Sequence, residues 1–114
     1  MTALAFAPMY NTGTKKDATG AFQPEMLAWV RHMEESRREV EFFQVDNHAT
    51  AAKMRAFVLE KIDERKPDRL AFFCHGWKTG IQFGFGMAHI KQLAKSIATI
   101  DRPTVTLFCC STAD

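Results

Sequence analysis

The chain has 114 residues, 46% hydrophobic and 25% charged, with 15 Lys+Arg against 13 Asp+Glu for a formal charge of +2; that supports one modest core, so residues 1–114 are expected to form a single domain or a portion of one. Its basic residues, such as Arg31, Arg37, Lys61, Arg65 and Arg69, are interspersed with acids as on a solvated helix surface, and no apolar stretch approaches a membrane span, so neither nucleic acid nor membrane is an expected partner. The start "MTALAFAPMY" lacks the basic n-region of an export signal, and three cysteines, two of them adjacent at Cys109 and Cys110, argue for a reducing, cytoplasmic setting over a disulfide framework.

In chain order, "TALAFAPMY" reads as a first strand with Pro8 near its end, and "NTGTKKDATGAFQ" as a polar, Gly-punctuated loop. Pro24 suits a first helical position, and Met26, Leu27, Val30 and Met33 then recur at helical spacing. "VEFFQV", residues 40–45, is a second strand. After the loop "DNHAT", Thr50 is a cap for a helix with Ala51, Met54, Val58 and Ile62 on one stripe, stopped by Pro67. "RLAFFC" is the third strand, "HGWKTGIQFGFG" the loop behind it, and Met87, Ile90, Ala94 and Ile97 the inner stripe of a third helix. "TVTLFCC" is the fourth strand.

Four strands alternating with three helices predict an α/β fold of three layers, a largely parallel sheet with helices on both faces. The unbroken apolarity of "LAFF" and "TVTLF" suits strands buried on both sides. In open parallel sheets, chemistry gathers at the carboxyl ends of the strands. His75 stands at one such end, Cys109 and Cys110 at another.

A histidine and a cysteine so placed can form a nucleophilic dyad. The imidazole lowers the thiol pKa so that thiolate exists near neutral pH, then protonates the leaving amine. Gly76 allows the backbone to turn close to a substrate, and its N–H, with that of the nucleophilic cysteine, could hold the acyl oxyanion. No third catalytic side chain is identifiable.

"LAFFCHG" followed one helix later by "VTLFCCSTA" resembles the His-Gly and Cys motifs of the caspase-like peptidases, the group of caspases, metacaspases, clostripain-type and CHAT-type peptidases. "NHATAAKMRAFVLEKI" resembles the helix start that precedes the His strand in those families. The resemblance spans essentially the whole chain and implies a regulated cysteine endopeptidase acting on protein or peptide substrates, in a group where self-processing is an expectation to test. "LFCCST" is similar to the CHAT-type pattern Leu-Ser-Ala-Cys-x-Thr, which implies Cys110 as nucleophile, His75 as base and acid, and Gly76 as oxyanion donor. In caspases and metacaspases the loop after the first strand helps bind the P1 side chain, which implies a substrate-binding role for Asp17; Trp77, directly behind the His-Gly pair, is expected to border the same cleft. Phe108 stands two positions before the nucleophile, where caspases carry Gln and metacaspases Asp, so this motif does not specify a charged P1 side chain. The fold in these families continues with two more strands. The resemblance therefore implies a large-subunit-like portion that needs a companion small-subunit chain or a C-terminal segment, and a terminal Asp114 is in keeping with processing after aspartate.

Two other functional readings are open. A caspase-like scaffold without turnover would keep the fold and lose the chemistry. An α/β-hydrolase fragment could use "FFCHGW" as its oxyanion stretch, but the G-x-S-x-G elbow of that class is missing from the sequence. No metal is expected, because adjacent cysteines do not have zinc-knuckle spacing, and no cofactor, because "IQFGFGMA" has neither a G-x-G-x-x-G nor a Lys-Ser/Thr ending. That stretch is expected to form an aromatic wall beside the cleft. Cys74 should pack into the core, since strand alternation directs it away from the face of His75.

Overall fold

Large and small apolar residues alternate along "TALAFAP", and the alternation decides how the layers stack. In the computed structural model, which describes residues 2–9, 19–77 and 80–111, with 19–23, 75–77 and 109–111 described by their backbone alone, this segment is strand β1, Thr2–Pro8. Leu4 and Phe6 point to one face of the sheet and Ala5 and Ala7 to the other, all fully buried. Helix α1 (Thr19–Glu35) follows, then β2 (Glu39–Val45), α2 (Ala51–Arg65), β3 (Arg69–Trp77), the two-residue β4 (Gly80–Ile81), α3 (Ile90–Ala98) and β5 (Thr104–Ser111).

The fold is α/β, with four parallel strands in the order β2-β1-β3-β5 and three helices, a layout compatible with Rossmann-type and caspase-like α/β sheets. β4 runs antiparallel to the end of β3. Helix α1 lies over the alanine face, where Ala5, Ala7 and Ala71 leave room for Met26 and Val30 to approach the sheet. The opposite face carries Leu4, Phe6, Leu70, Phe72 and Cys74 and is covered by Val58 and Ile62 of α2 and Leu93 of α3. Phe6 is central to it, with ring centroids 5.5 Å from Phe72, 6.0 Å from Phe43 and 6.5 Å from Phe57. Each such aromatic pair adds about 0.5–1.5 kcal/mol beyond area burial.

Helix α2 begins and ends for the reasons its sequence suggests. The Thr50 hydroxyl accepts from the Lys53 N–H at 3.2 Å, and Lys66 turns left-handed at φ 46° while its N–H donates to the Ile62 carbonyl, immediately before Pro67. Three boundaries differ from expectation. Helix α1 starts five residues ahead of Pro24, so the proline is its sixth residue and the Gly20 carbonyl lacks its usual N–H partner. Helix α3 starts at Ile90, leaving Met87 outside it and 73% exposed, and its buried contact is Leu93, with Ala94 exposed. β3 continues through His75, Gly76 and Trp77, which the sequence reading assigned to a loop. Those three positions have ladder partners in β5 or β4, and that pairing, invisible to local propensity, keeps the chain extended.

The two edges of the sheet differ. β2 carries Glu39 and Glu41, and Glu41 pairs with Arg65 of α2 at 2.8 Å. β5, expected to be an interior strand, pairs only with β3 among the described residues, and Val105, Leu107 and Phe108 are 38%, 56% and 38% exposed. Among the described residues no helix is long and apolar enough to cross a membrane.

Candidate functional site at the carboxyl ends of β3 and β5

Strands β3 and β5 run side by side in one continuous register, Arg69 with Thr104 through Gly76 with Ser111, and that register pairs His75 with Cys110 and Cys74 with Cys109. Neighbouring strands lie about 4.8 Å apart, and partners at one register position share a face of the sheet. Cys74 is fully buried in the core under α2 and α3, which agrees with the packing expected of it. Phe73 belongs to the opposite, α1-facing core, and its ring stacks on that of Phe108, its register partner, with centroids 4.4 Å apart and planes within 4°. Positions 75 and 110 lie two residues further on, on the α1 side by the two-residue period of a strand. Position 109 shares the face of Cys74.

The register thus brings together His75 and Cys110 at the carboxyl ends of adjacent parallel strands. Gly76 follows inside β3, between Ser111 on one side and Ile81 on the other. The turn expected at Gly76 is absent: its backbone is held in an extended ladder, and the chain reverses only after Trp77, which pairs with Gly80. Asp17 lies outside the described residues.

On the opposite face of the sheet, the α2 and α3 side, two cavities open. One, of about 250 Å³, lies between the ends of β1 and β2 and the first turns of α2, with Met9, Val45, Met54 and Phe57 in its wall and Asp46 and Lys53 at its rim. The other, of about 420 Å³, lies between the start of α2 and the segment before α3, lined by Met54, Ile81, Phe83, Met87 and His89. Both are mainly apolar. The "IQFGFGMA" stretch, expected as an aromatic wall, contributes Phe83 there, but Phe83 and Phe85 are fully buried. They fill core and do not present open ring faces.

Charge is concentrated at the other end of the sheet. A cavity of about 580 Å³ at the amino ends of the strands is lined by Lys66, Asp68, Arg69, Asp101 and Arg102. Burial works to raise the pKa of Asp68, but the hydrogen bond and charge of Arg38, 2.6 Å away, with Arg69 nearby, hold it below the usual value. This cluster ties strand starts together: Asp68 donates its N–H to the Thr2 carbonyl and accepts from the Thr104 N–H.

Sequence reasoning missed the segment that braces β3 from the side. Phe83 has φ 75° and Gly84 φ 85°, and the Gly84 carbonyl accepts from Arg55 of α2 at 3.0 Å. The sequence signals for it were Gly80, Gly84 and Gly86, and glycines alone do not distinguish a strained turn from an ordinary loop. Comparison of the chain with protein-family models, curated proteins and solved structures finds no match.

Proposed function

We propose that this chain carries the catalytic dyad of a caspase-like cysteine endopeptidase. The observation that supports this reading is the register that pairs His75 with Cys110 at the carboxyl ends of two adjacent parallel strands, where open α/β sheets do their chemistry. In the proposed reaction His75 takes the Cys110 proton, and the thiolate attacks the scissile carbonyl carbon. The carbonyl π electrons move to oxygen, and backbone N–H groups at Cys110 and Gly76 hold the oxyanion. Collapse breaks the C–N bond as His75 passes its proton to the amine, leaving a thioester on Cys110. Water, deprotonated by His75, then attacks the thioester, and the acid product leaves as the thiol is restored. The cytoplasm, where thiols are kept reduced, is the proposed compartment.

The bare β5 edge belongs to the same reading. A companion small-subunit chain or a C-terminal segment that added a strand beside β5 would cover Leu107 and Val105 and complete the wall of the cleft. One observation favours the non-catalytic scaffold as a second reading: Gly76 has ladder neighbours on both sides, which competes with its use as an oxyanion donor. Labelling separates the two. An acyloxymethyl-ketone peptide probe or iodoacetamide should modify Cys110 rapidly, and His75→Ala should abolish the advantage over a free thiol. Cys110 labelling at the rate of an ordinary cysteine, indifferent to His75, would leave only the scaffold.

A further inference from the structure

The strongest unexplained feature is the strained segment between β4 and α3. Phe83 is a non-glycine residue at φ 75°, a left-handed conformation that its side chain disfavours, and it is nevertheless fully buried. Gly84 follows at φ 85° and lies so close to α2 that a Cβ there would stand 2.6 Å from the Ala51 carbonyl oxygen. Gly80 is equally confined, since a Cβ would overlap the Phe85 carbonyl at 1.8 Å. Strain of this kind persists only where its surroundings over-determine it. Here those surroundings are the burial of Phe83 and Phe85, the Ile81 N–H donating to the Phe85 carbonyl at 2.9 Å, and the part-buried Arg55 guanidinium donating to the Gly84 carbonyl at 3.0 Å.

What this turn holds is β4, and what β4 holds is the end of β3. β1 accompanies β3 only as far as Phe72, so beyond that point β3 loses its neighbour on that side. β4 takes up that side again from Gly76, pairing Ile81 with Gly76 and Gly80 with Trp77, while β5 continues on the other as far as Gly76. His75 itself pairs with β5 alone, so without β4 the two residues directly behind it, Gly76 and Trp77, would lose their pairing on that side and the end of β3 would be free to fray.

We propose that Arg55 is a positioning residue for the His75–Cys110 pair: by fixing the Gly84 turn against α2 it locks β4 onto Gly76 and Trp77, and so holds His75 in register with Cys110. This rests on the dyad reading above. Arg55 itself touches neither the substrate nor the dyad; it acts through the Gly84 turn. The inference predicts that loosening the turn weakens the histidine's hold on the thiolate without erasing the fold.

The test is the pH profile of Cys110 alkylation by iodoacetamide in the 114-residue chain, read by peptide mass spectrometry so that Cys74 and Cys109 are scored separately. In the unaltered chain the Cys110 midpoint should lie below that of an ordinary thiol, and His75→Ala should raise it. Arg55→Ala should move it part of the way towards the His75→Ala value and slow alkylation at neutral pH by up to about tenfold, the most that a midpoint shift of about one pH unit allows. Arg55→Lys, which keeps a donor for the Gly84 carbonyl, should recover most of the loss. Deuterium uptake over residues 75–81 should rise in Arg55→Ala and return towards normal in Arg55→Lys. A folded Arg55→Ala with an unchanged midpoint, alongside a shifted His75→Ala, overturns the inference and leaves the dyad standing. A His75→Ala profile equal to that of the unaltered chain overturns the dyad, and the inference with it. Should Arg55→Ala fail to fold, Gly84→Ala, which pushes the turn off Ala51, takes its place; an unchanged midpoint and unchanged uptake in that variant overturn the inference equally.

Discussion

Phe73 and Phe108 stack face to face across β3 and β5, with centroids 4.4 Å apart, one strand repeat before the positions of His75 and Cys110. The stack fixes how the two strands approach one another at that point, so it bears directly on the dyad. Phe108→Ala should cost about 0.5–1.5 kcal/mol of stability for the lost pair beyond its area term, measured by denaturant unfolding, and should slow Cys110 alkylation. Alkylation unaffected by loss of the ring would mean that backbone pairing alone sets the geometry.

The register also makes the two adjacent cysteines unequal. Under the proposed function, Cys110→Ala and His75→Ala should each abolish peptide cleavage while leaving the circular-dichroism spectrum intact, because neither half of the dyad has a covalent route alone. Cys109→Ala, at the register position of buried Cys74, should keep most activity. Exchanged behaviour of the two cysteines would place the nucleophile on the opposite face of the sheet.

Specificity is expected to depend on the loop after β1. Asp17 there would favour Lys or Arg at P1, and Lys15 or Lys16 would favour Asp or Glu; a substrate library profiled against Asp17→Ala decides the sign, a weakened preference for Lys or Arg assigning the pocket to Asp17. An unchanged profile would remove this loop from the specificity site.

The uncovered side of β5 leads to a prediction about assembly. Leu107 and Val105 line an apolar groove of about 180 Å³ with Ile90, Leu93 and Ile97 of α3, and the strand from Thr104 to Ser111 carries no charged residue to discourage edge-to-edge pairing. Residues 1–114 produced alone should therefore associate, seen by light scattering, and show little peptidase activity. Leu107→Lys should suppress the association. A monomeric and fully active product would contradict the need for a companion segment.

Acid stability should follow Asp68. Its pKa is lowered in the folded chain, so the carboxylate contributes stability that is fully present above its unfolded value and is lost as pH falls through the folded one. Thermal unfolding followed from neutral pH down to strongly acidic pH should show that loss, and Asp68→Asn should flatten it. At neutral pH the variant should cost about 1.5–3 kcal/mol, the worth of a hydrogen bond to a charged group. An acid limb of the same slope in both proteins would assign the loss to other carboxylates.

Much of the architecture was legible from residue order, because it depends on local periodicity. The period of two in "TALAFAP", the spacing of Val58 and Ile62, the Thr50 cap and the Pro67 stop each follow from interactions within a few residues, and they suffice for an alternating α/β chain with a parallel sheet. His75, Cys109 and Cys110 could likewise be placed near strand ends. Sequence could not decide which cysteine shares a register position with His75, because pairing between positions about 35 residues apart in sequence is settled by how β3 and β5 pack against the same core. Nor could it show that Gly76 is held extended between two neighbours, that β5 is an edge, or that Arg55 reaches Gly84 29 residues along the chain. A strained φ at Phe83 and a close approach at Gly84 are favourable only once α2 and the turn are already packed together, so their cause lies in the tertiary structure and has no counterpart in local propensity.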